Sequence, residues 1–307
     1  MQIKIRGMEK YKGENIIDFM KVFKDDESCK SYLAKLKWSE GFTCPKCGSK
    51  RGCLKSGHCY ECYQCHHVES STSGTLFHKV KFGLRKAFCI VYEMTASTKS
   101  LSSVQMGKRY GIRQATAWFF MQKVREAMKS SQKYPLKELI HVDEFVVGGQ
   151  EEGKQGRSYD TKKSKAIIAV ELSEKEKVKR VYIQAIEDYS AKSITPLFEQ
   201  HISTEANILT DKWKGYLPLT KRYHIEQKAS KGGKNFKTLH IVVHQLKSWL
   251  RTIPVAVDKK HIQKYFDEFC YRINRSQSKE NIFHKTIERM VNAQPLFHFQ
   301  IIQKIKV

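Results

Sequence analysis

Residues 141–148 read His-Val-Asp-Glu-Phe-Val-Val-Gly, and the prediction of the fold class starts from this run. It begins a series of short runs rich in apolar and β-branched residues, separated by polar turns. The later strand-like runs are residues 165–172, 178–186 and 206–211. A stretch with helical spacing, residues 193–201, lies before the last of them. Short strands that alternate with a helix predict an α/β domain built on one sheet.

Two aspartates occupy strand positions in this predicted sheet. Asp143 lies within the first run, and Asp211 ends the last one. A carboxylate in the middle of a sheet is costly unless it binds a metal ion or has a partner. Either aspartate alone is better explained as a turn or cap residue. Two acids on strands of one sheet, however, are what a divalent-metal phosphoryl-transfer site requires.

The region after the sheet is basic, and helical spacing resumes within it. The helical spacing covers residues 235–251, and a second such stretch covers 260–274. Between Lys221 and Arg251 there are eight Lys or Arg residues and a single acid, Glu226. This part of the domain is therefore predicted to face phosphates, with Arg251 as a candidate DNA contact.

One face of the first helix carries His240, His244 and Lys247, which follow the spacing i, i+4, i+7. His240 and Lys247 can thus reach the same phosphate or ion. The alternative is that the two histidines form an ordinary surface pair. A zinc-protease interpretation fails because the glutamate that follows the first histidine in HExxH is missing.

The cysteines cluster in a way that indicates a metal site. Of nine cysteines, six fall in the stretch from Cys44 to Cys65. Cys44-Pro-Lys-Cys47 and Cys62-Tyr-Gln-Cys65 are CxxC pairs with fourteen residues between them, a spacing close to that of a Cys₄ zinc site. Gly48 allows the tight backbone that such a turn needs. Four thiolates leave no open coordination position, so the zinc is predicted to be structural.

The register of the second pair stays open at this stage. Cys59-Tyr-Glu-Cys62 is also a CxxC, and Cys53 lies nearby, so four ligands must be chosen from more than four candidates. The neighbouring histidines are better explained as surface residues or phosphate contacts than as ligands; they are His58, His66 and His67.

A pair of short helices around Gly111 predicts a helix-turn-helix. Residues 102–110 and 113–128 both show helical spacing, and Arg113, Gln114 and Thr116 begin the second helix. A recognition helix places base-reading and phosphate-binding groups there. Helix pairs around glycine also occur as plain packing units. The three aromatic residues that follow are predicted to be core residues; they are Trp118, Phe119 and Phe120.

Composition favours nucleic acid as the partner. The chain has 307 residues and 56 Lys plus Arg against 31 Asp plus Glu, a formal charge of +25. Such an excess attracts polyanions through phosphate contacts and counterion release. No apolar run approaches the ~20 residues of a membrane span, and the first residues lack the apolar segment of a secretory signal. We therefore expect a cytoplasmic, nucleoid-associated protein that does not bind membranes.

Taken together, these motifs resemble the insertion-sequence transposases with an N-terminal zinc ribbon and a DDE-type domain, the ISXO-like group. The resemblance covers nearly the whole chain. It rests on the two CxxC pairs, HVDEFVVGG at residues 141–149, TDKWKGY at 210–216, the helix at 240–250 and YRINR at 271–275. In that group the third acidic position varies, and a lysine follows it seven residues later. His240 and Lys247 have this separation.

The resemblance implies a ribonuclease-H-like catalytic domain. It further implies that Asp143 and Asp211 hold two divalent ions, Mg²⁺ or Mn²⁺, for attack first by water and then by a DNA 3′-hydroxyl. His240 stands where the third carboxylate usually stands, and Lys247 grips DNA near the reacting phosphate. Imidazole is a poor ligand for Mg²⁺ and a better one for Mn²⁺. The partners implied are double-stranded DNA, as element ends and target, and further copies of the chain in a synaptic complex.

The predicted organisation has five parts. They are an N-terminal helical segment at 1–40, a zinc ribbon at 41–76, a helix-turn-helix domain at 77–134, a catalytic domain at 135–280 and a tail at 281–307. Three other functions fit parts of the pattern. They are a DNA-binding regulator without catalysis, a nuclease or resolvase that cuts branched DNA without joining it, and a decayed transposase.

Overall fold

The computed structural model describes residues 11–12, 15–148, 163–253 and 257–303. Gly149 of the strand motif and the first ten residues lie outside these ranges. The chain forms two compact units, residues 1–128 together with 278–307, and residues 129–277. The α/β class predicted for the chain is confirmed, because both helices and a mixed sheet are present.

The first unit combines a small sheet with helices. Its helices are α1 (Ile16–Val22), α2 (Asp26–Lys37), α3 (Leu84–Ala96), α4 (Ser103–Tyr110), α5 (Gln114–Met128), α9 (Ile282–Asn292) and α10 (His298–Gln303). Its antiparallel sheet has the order β1 (Gly52–Lys55), β2 (Cys59–Cys62), β3 (Val68–Ser70). The acidic break before α2 acts as a cap: Asp25 accepts from the Ser28 N–H, and the Ser28 hydroxyl accepts from the Asp25 N–H.

Helix α9 is part of the core of this unit. Phe283 packs its ring against those of Phe19, Phe23 and Phe88, and His284 Nδ1 lies 2.6 Å from the Tyr32 hydroxyl. Residues 281–307 were predicted to be a tail, whereas α9 within them is a buried helix. The amphipathic spacing was present in the sequence, but a single helix after the last motif carries no signal of the unit it joins.

The second unit is built on a five-stranded sheet with the order β6-β5-β4-β7-β8. Its elements are β4 (Leu139–Val147), β5 (Ser164–Leu172), β6 (Val178–Ile186), α6 (Ala191–His201), β7 (Asn207–Thr210), β8 (His224–Gln227), α7 (Lys237–Arg251) and α8 (Ile262–Ile273). Neighbours among β4, β5 and β6 are antiparallel, and β4, β7 and β8 are parallel. Strand β8 was not predicted, because its four residues are mostly polar and lie at the sheet edge.

Helices cover both faces of this sheet. One core contains Val142 and Ile208 together with residues of α6, and the other contains Ile168 and Val170 together with residues of α7 and α8. Strand β5 is buried along nearly its whole length, as expected for a strand with helices on both faces.

Two side-chain amides close the open edge of β6. Asn274, in the YRINR motif at the end of α8, accepts from the Val181 N–H at 2.7 Å and donates to the Val181 carbonyl at 2.9 Å. Gln263, at the start of α8, accepts from the Ala185 N–H at 2.8 Å and donates to the Ile183 carbonyl at 3.0 Å. These bonds replace the strand that an edge would otherwise recruit.

We expect Asn274→Ala to expose the Val181 amide and speed its hydrogen exchange by about tenfold or more, since an unsatisfied buried group costs about 1–3 kcal/mol. Gln263→Ala should do the same to the Ala185 amide. Each variant is the control for the other, measured residue by residue by NMR. Equal acceleration of both amides in both variants would show a general loosening of α8 instead.

Candidate active site and zinc-binding site

The strand register brings the two predicted aspartates together. Strands β4 and β7 run parallel, and their last pair is Val142 with Thr210. Asp143 and Asp211 are the next residues, so they stand side by side where the pairing ends. Carboxylate oxygens of Asp143, Asp211 and Glu144 all lie within 4.8 Å of one another. Two acids that are distant in sequence therefore belong to one cluster.

Glu144 belongs to this cluster, although the sequence analysis did not include it. Successive strand residues point to opposite faces, so a neighbour of Asp143 is not expected on its side. Strand β4 stays paired with β5 here, but its pairing with β7 has ended, and the Glu144 N–H donates to Asp143 Oδ1 at 2.8 Å. The signal that was available is the pair of consecutive acids inside an apolar run.

The loop after β7 is held in place around Asp211. Asp211 Oδ1 accepts from the Trp213 N–H at 3.0 Å. The Gln227 amide on β8 donates to the carbonyls of Asp211 and Trp213 at 3.1 and 3.0 Å. The Trp213 indole donates to the Tyr189 carbonyl at 2.9 Å. These bonds fix the backbone that presents the Asp211 carboxylate.

The Gly215-Tyr216 end of the motif has a steric role. A Cβ on Gly215 would lie 2.5 Å from the Trp213 indole nitrogen and 2.8 Å from the Tyr189 carbonyl oxygen, so only glycine fits. Tyr216 follows and is completely buried. Burial, and then the nearby carboxylate of Glu144, raise the pKa of Tyr216 well above its ordinary value. Its hydroxyl is therefore neutral.

His240 on α7 joins the acid cluster. Its Nε2 lies 3.8 Å from Asp143 Oδ2, and the Asp143 side chain is only 15% exposed. Among the described residues, this buried Nε2 makes no hydrogen bond. Burial, with smaller contributions from His244 and Lys247, lowers the pKa of His240, so the imidazole is neutral near pH 7. Gly233 packs so closely on the ring that a Cβ would lie 2.9 Å from His240 Cδ2.

Lys247 lies two turns further along α7. Its ammonium stands 5.9 Å from the centre of the Phe145 ring, and Phe145 is two residues from Asp143 on the same face of β4. Burial, then Arg251 and Lys163, lower the pKa of Lys247. These basic groups make this flank of the site attractive to a phosphate. Arg251 is exposed, as a DNA contact requires.

The donors at this site suit a divalent ion. Carboxylate oxygens are the ligands that Mg²⁺ and Mn²⁺ prefer. The buried His240 Nε2, which has no hydrogen bond among the described residues, faces the same space and adds a nitrogen donor. Asp143, Asp211 and His240 thus lie together. Side chains on separate faces of the fold would have excluded the enzymatic interpretation.

The four predicted zinc ligands also come together. Cys44 Sγ lies 3.6 Å from Cys65 Sγ, and Cys47 Sγ lies 3.5 Å from Cys62 Sγ. A tetrahedral site with Zn–S bonds of about 2.3 Å requires sulfur separations of about 3.8 Å. Burial acts to raise the pKa of Cys62, but backbone hydrogen bonds from Cys65 and Gln64 outweigh it and lower the pKa to about 6. The geometry fits one zinc ion.

The open register is resolved by the β1–β2 hairpin. Cys53 and Cys59 lie on its strands and are not part of the four-sulfur cluster. Each nearby histidine contacts a carboxylate instead: His58 with Glu27, His66 with Glu61 and His67 with Glu69. Ala34 of α2 and Trp38, the residue directly after it, share a core with Cys44 and Cys62 of the ribbon.

The two helices around Gly111 have the geometry expected of a tight turn. Gly111 ends α4 in the left-handed conformation (φ 59°), and a Cβ on Gly107 would lie 2.9 Å from the Ile112 carbonyl oxygen. Arg113 and Gln114 are exposed, although the Gln114 amide donates to the Ser103 hydroxyl at 2.8 Å. Of the aromatic residues predicted as core, Phe120 is buried, and Trp118 and Phe119 are half-buried.

Comparison with known families agrees with this geometry. Residues 135–274 match the ISXO2-like transposase domain, and residues 24–68 match the transposase zinc-ribbon domain. The chain carries both domains of an ISXO2-like zinc-ribbon transposase. The transposase domain contains Asp143, Asp211 and His240. The zinc-ribbon domain contains all four clustered cysteines and α2, which the sequence analysis had placed in a separate segment.

A relative has also been found among curated proteins. An uncharacterized protein in transposable element ISH50 of Halobacterium salinarum is 25% identical over 145 residues. The match covers 46% of this chain and 47% of the relative. The chain thus spans about half the length of that relative.

Proposed function

We propose that this transposase cleaves DNA at the ends of an insertion sequence and joins them to a target in a metal-dependent reaction. One observation supports the proposal most strongly. Asp143, Asp211 and His240, which come from two strands and a helix, converge within the transposase domain. Such a convergence suits in-line phosphoryl transfer, where the protein positions groups and stabilises charge.

Each residue at the site has a proposed task. Asp143 and Asp211 hold Mg²⁺ or Mn²⁺, and His240 adds a nitrogen ligand that favours Mn²⁺. When bound, such an ion lowers the pKa of a water or a 3′-hydroxyl and offsets charge on the phosphate. Lys247 and Arg251 lie on the DNA side of the site and hold the phosphate backbone.

The sheet supports a ribonuclease-H-like assignment for this domain. Its first three strands form an antiparallel meander, the fourth strand pairs in parallel with the first, and the fifth pairs in parallel with the fourth. That arrangement brings the ends of the first and fourth strands together, which is where the two aspartates lie. We therefore retain the ribonuclease-H-like fold as part of the proposal.

DNA is the partner that the transposase and zinc-ribbon domains imply. No helix in the described parts of the chain is long and apolar enough to cross a membrane. We propose that α4 and α5 act as a helix-turn-helix and that, with the zinc ribbon, they bind the terminal inverted repeats. A synapse of at least two copies follows from the need to hold two ends.

We expect Arg113→Ala to weaken binding to element-end DNA by about 1–3 kcal/mol, because this exposed residue at the start of α5 would lose a base or phosphate contact. Fluorescence anisotropy at fixed salt measures the loss. Lys285→Ala is the matched control, since Lys285 is an exposed cation in the same unit and is paired with Glu288. Equal losses in both variants would indicate non-specific attraction instead.

The activity itself is tested with purified protein and DNA that carries candidate inverted-repeat ends, in Mg²⁺ or in Mn²⁺. The proposal predicts both cleavage at the ends and joining to a second DNA. Binding without cleavage would favour a DNA-binding regulator. Cleavage of branched DNA without joining would favour a nuclease or resolvase.

A further inference from the structure

We infer that Glu144 is a third carboxylate ligand of the divalent ion held by Asp143 and Asp211, and that the buried hydroxyl of Tyr216 positions it. This inference rests on the proposed metal-dependent function. It adds a metal ligand that the Asp, Asp, His arrangement of the site does not contain.

The end of the β4–β7 pairing creates the space for Glu144. Beyond Val142 and Thr210 the two strands no longer pair, and the Glu144 N–H turns to Asp143 Oδ1 at 2.8 Å. The Glu144 carboxylate therefore stays near the sheet end, within 4.8 Å of an oxygen of Asp143 and of Asp211. One of its oxygens, Oε1, is buried. Three carboxylates at this separation repel one another unless a cation lies among them.

Tyr216 is a second feature of the cluster, because it is a buried polar residue directly beside the carboxylates. It is completely buried in the core beside α6, and its hydroxyl faces the carboxylates, Glu144 nearest. Its interaction with Glu144, which includes a side-chain hydrogen bond, is one cause of the raised pKa of Tyr216. A buried hydroxyl is costly without a hydrogen-bond partner, so Tyr216 favours keeping the Glu144 carboxylate in place. One carboxylate oxygen of Glu144 can accept from Tyr216 while the other binds the ion.

The charge of the site gives a chemical reason for a third carboxylate. An imidazole at His240 supplies no negative charge in either protonation state. Asp143 and Asp211 alone provide two negative charges for the divalent ions and a DNA phosphate. Glu144 brings the total to three, and oxygen ligands are the ones that Mg²⁺ prefers. A site with Glu144 can therefore use Mg²⁺ despite the histidine.

The test is Mn²⁺ binding to the full chain, followed by electron paramagnetic resonance of the free ion. We expect Glu144→Gln to raise the Kd by about tenfold or more and Tyr216→Phe to raise it by about tenfold, the effect of losing a partner that orients a ligand. Asp143→Asn is the reference variant, in which Mn²⁺ binding at the site should be lost. Glu187→Gln is the matched control, because Glu187 is an exposed carboxylate at the end of β6.

The outcomes separate this inference from the proposed function. Wild-type affinity in Glu144→Gln, together with loss in Asp143→Asn, would overturn the role of Glu144 alone. No Mn²⁺ site in the unsubstituted chain would overturn both. Thermal denaturation shows whether each variant folds. If Glu144→Gln does not fold, Glu144→Asp tests the inference instead. It keeps the negative charge but shortens the side chain by one methylene, so the Kd for Mn²⁺ should rise. An unchanged Kd in Glu144→Asp would contradict the inference.

Discussion

Asp143→Asn is expected to abolish both cleavage and joining of element-end DNA, with a fall in rate of at least about a thousandfold, or about 4 kcal/mol of barrier. Asparagine has the same shape and still accepts the Glu144 N–H, so the strand end should keep its structure. It has no negative charge, and a divalent ion loses its central ligand. Single-turnover assays with labelled DNA measure both steps.

The controls for this prediction are two other carboxylate substitutions and a measurement of DNA binding. Asp211→Asn should cause a comparable loss, because its carboxylate lies in the same cluster. Glu187→Gln should leave both steps unchanged. Binding of Asp143→Asn protein to end DNA should equal that of the unsubstituted protein, since binding is assigned to α4, α5 and the ribbon. Cleavage by the Asp143→Asn protein at the normal rate would refute the assignment of Asp143.

Cys44→Ser is expected to eliminate zinc from the protein and to unfold the ribbon. The sulfur of Cys44 is one of four in the cluster, and the residue is 2% exposed, in a core with Trp38 and Cys62. Structural zinc contributes about 10–16 kcal/mol to folding such sites, so the loss of one ligand is severe. Metal analysis should show one zinc per unsubstituted chain and none in the variant, and end-DNA binding should weaken with it.

The chain offers a matched control for that result. Cys53→Ser and Cys59→Ser also remove one sulfur each from the same segment, but both residues lie outside the cluster. They should retain zinc and DNA binding. Loss of zinc in Cys59→Ser with retention in Cys65→Ser would mean that the other CxxC register is the correct one.

Much of the candidate site was predictable because its signals are local. A CxxC pair places two sulfurs in one turn, so spacing alone indicated the zinc site. Asp143 and Asp211 each sit in or directly after an apolar run, and a parallel pair of strands aligns their ends. The i, i+7 spacing of His240 and Lys247 placed them on one face of α7, as the structure shows for their half-buried side chains.

The remainder depended on contacts that no local pattern encodes. Glu144 joins the cluster only because β7 stops pairing at Thr210, a fact of register rather than of the β4 sequence. Asn274 and Gln263 reach the edge of β6 across about 80–90 residues of chain, and amides give no signal of such partners. Strand β8 is too short and polar to stand out, and its Gln227 holds the Asp211 loop.

The most direct test of the account is iron-directed cleavage of the protein itself. Fe²⁺ bound in place of Mg²⁺ and supplied with hydrogen peroxide and ascorbate produces hydroxyl radicals that cut the backbone near the ion. We predict cuts close to residues 143, 211 and 240, which are suppressed by excess Mg²⁺ and absent in Asp143→Asn. Cuts confined to other parts of the chain, or identical in the variant, would show that these three segments do not surround a divalent ion.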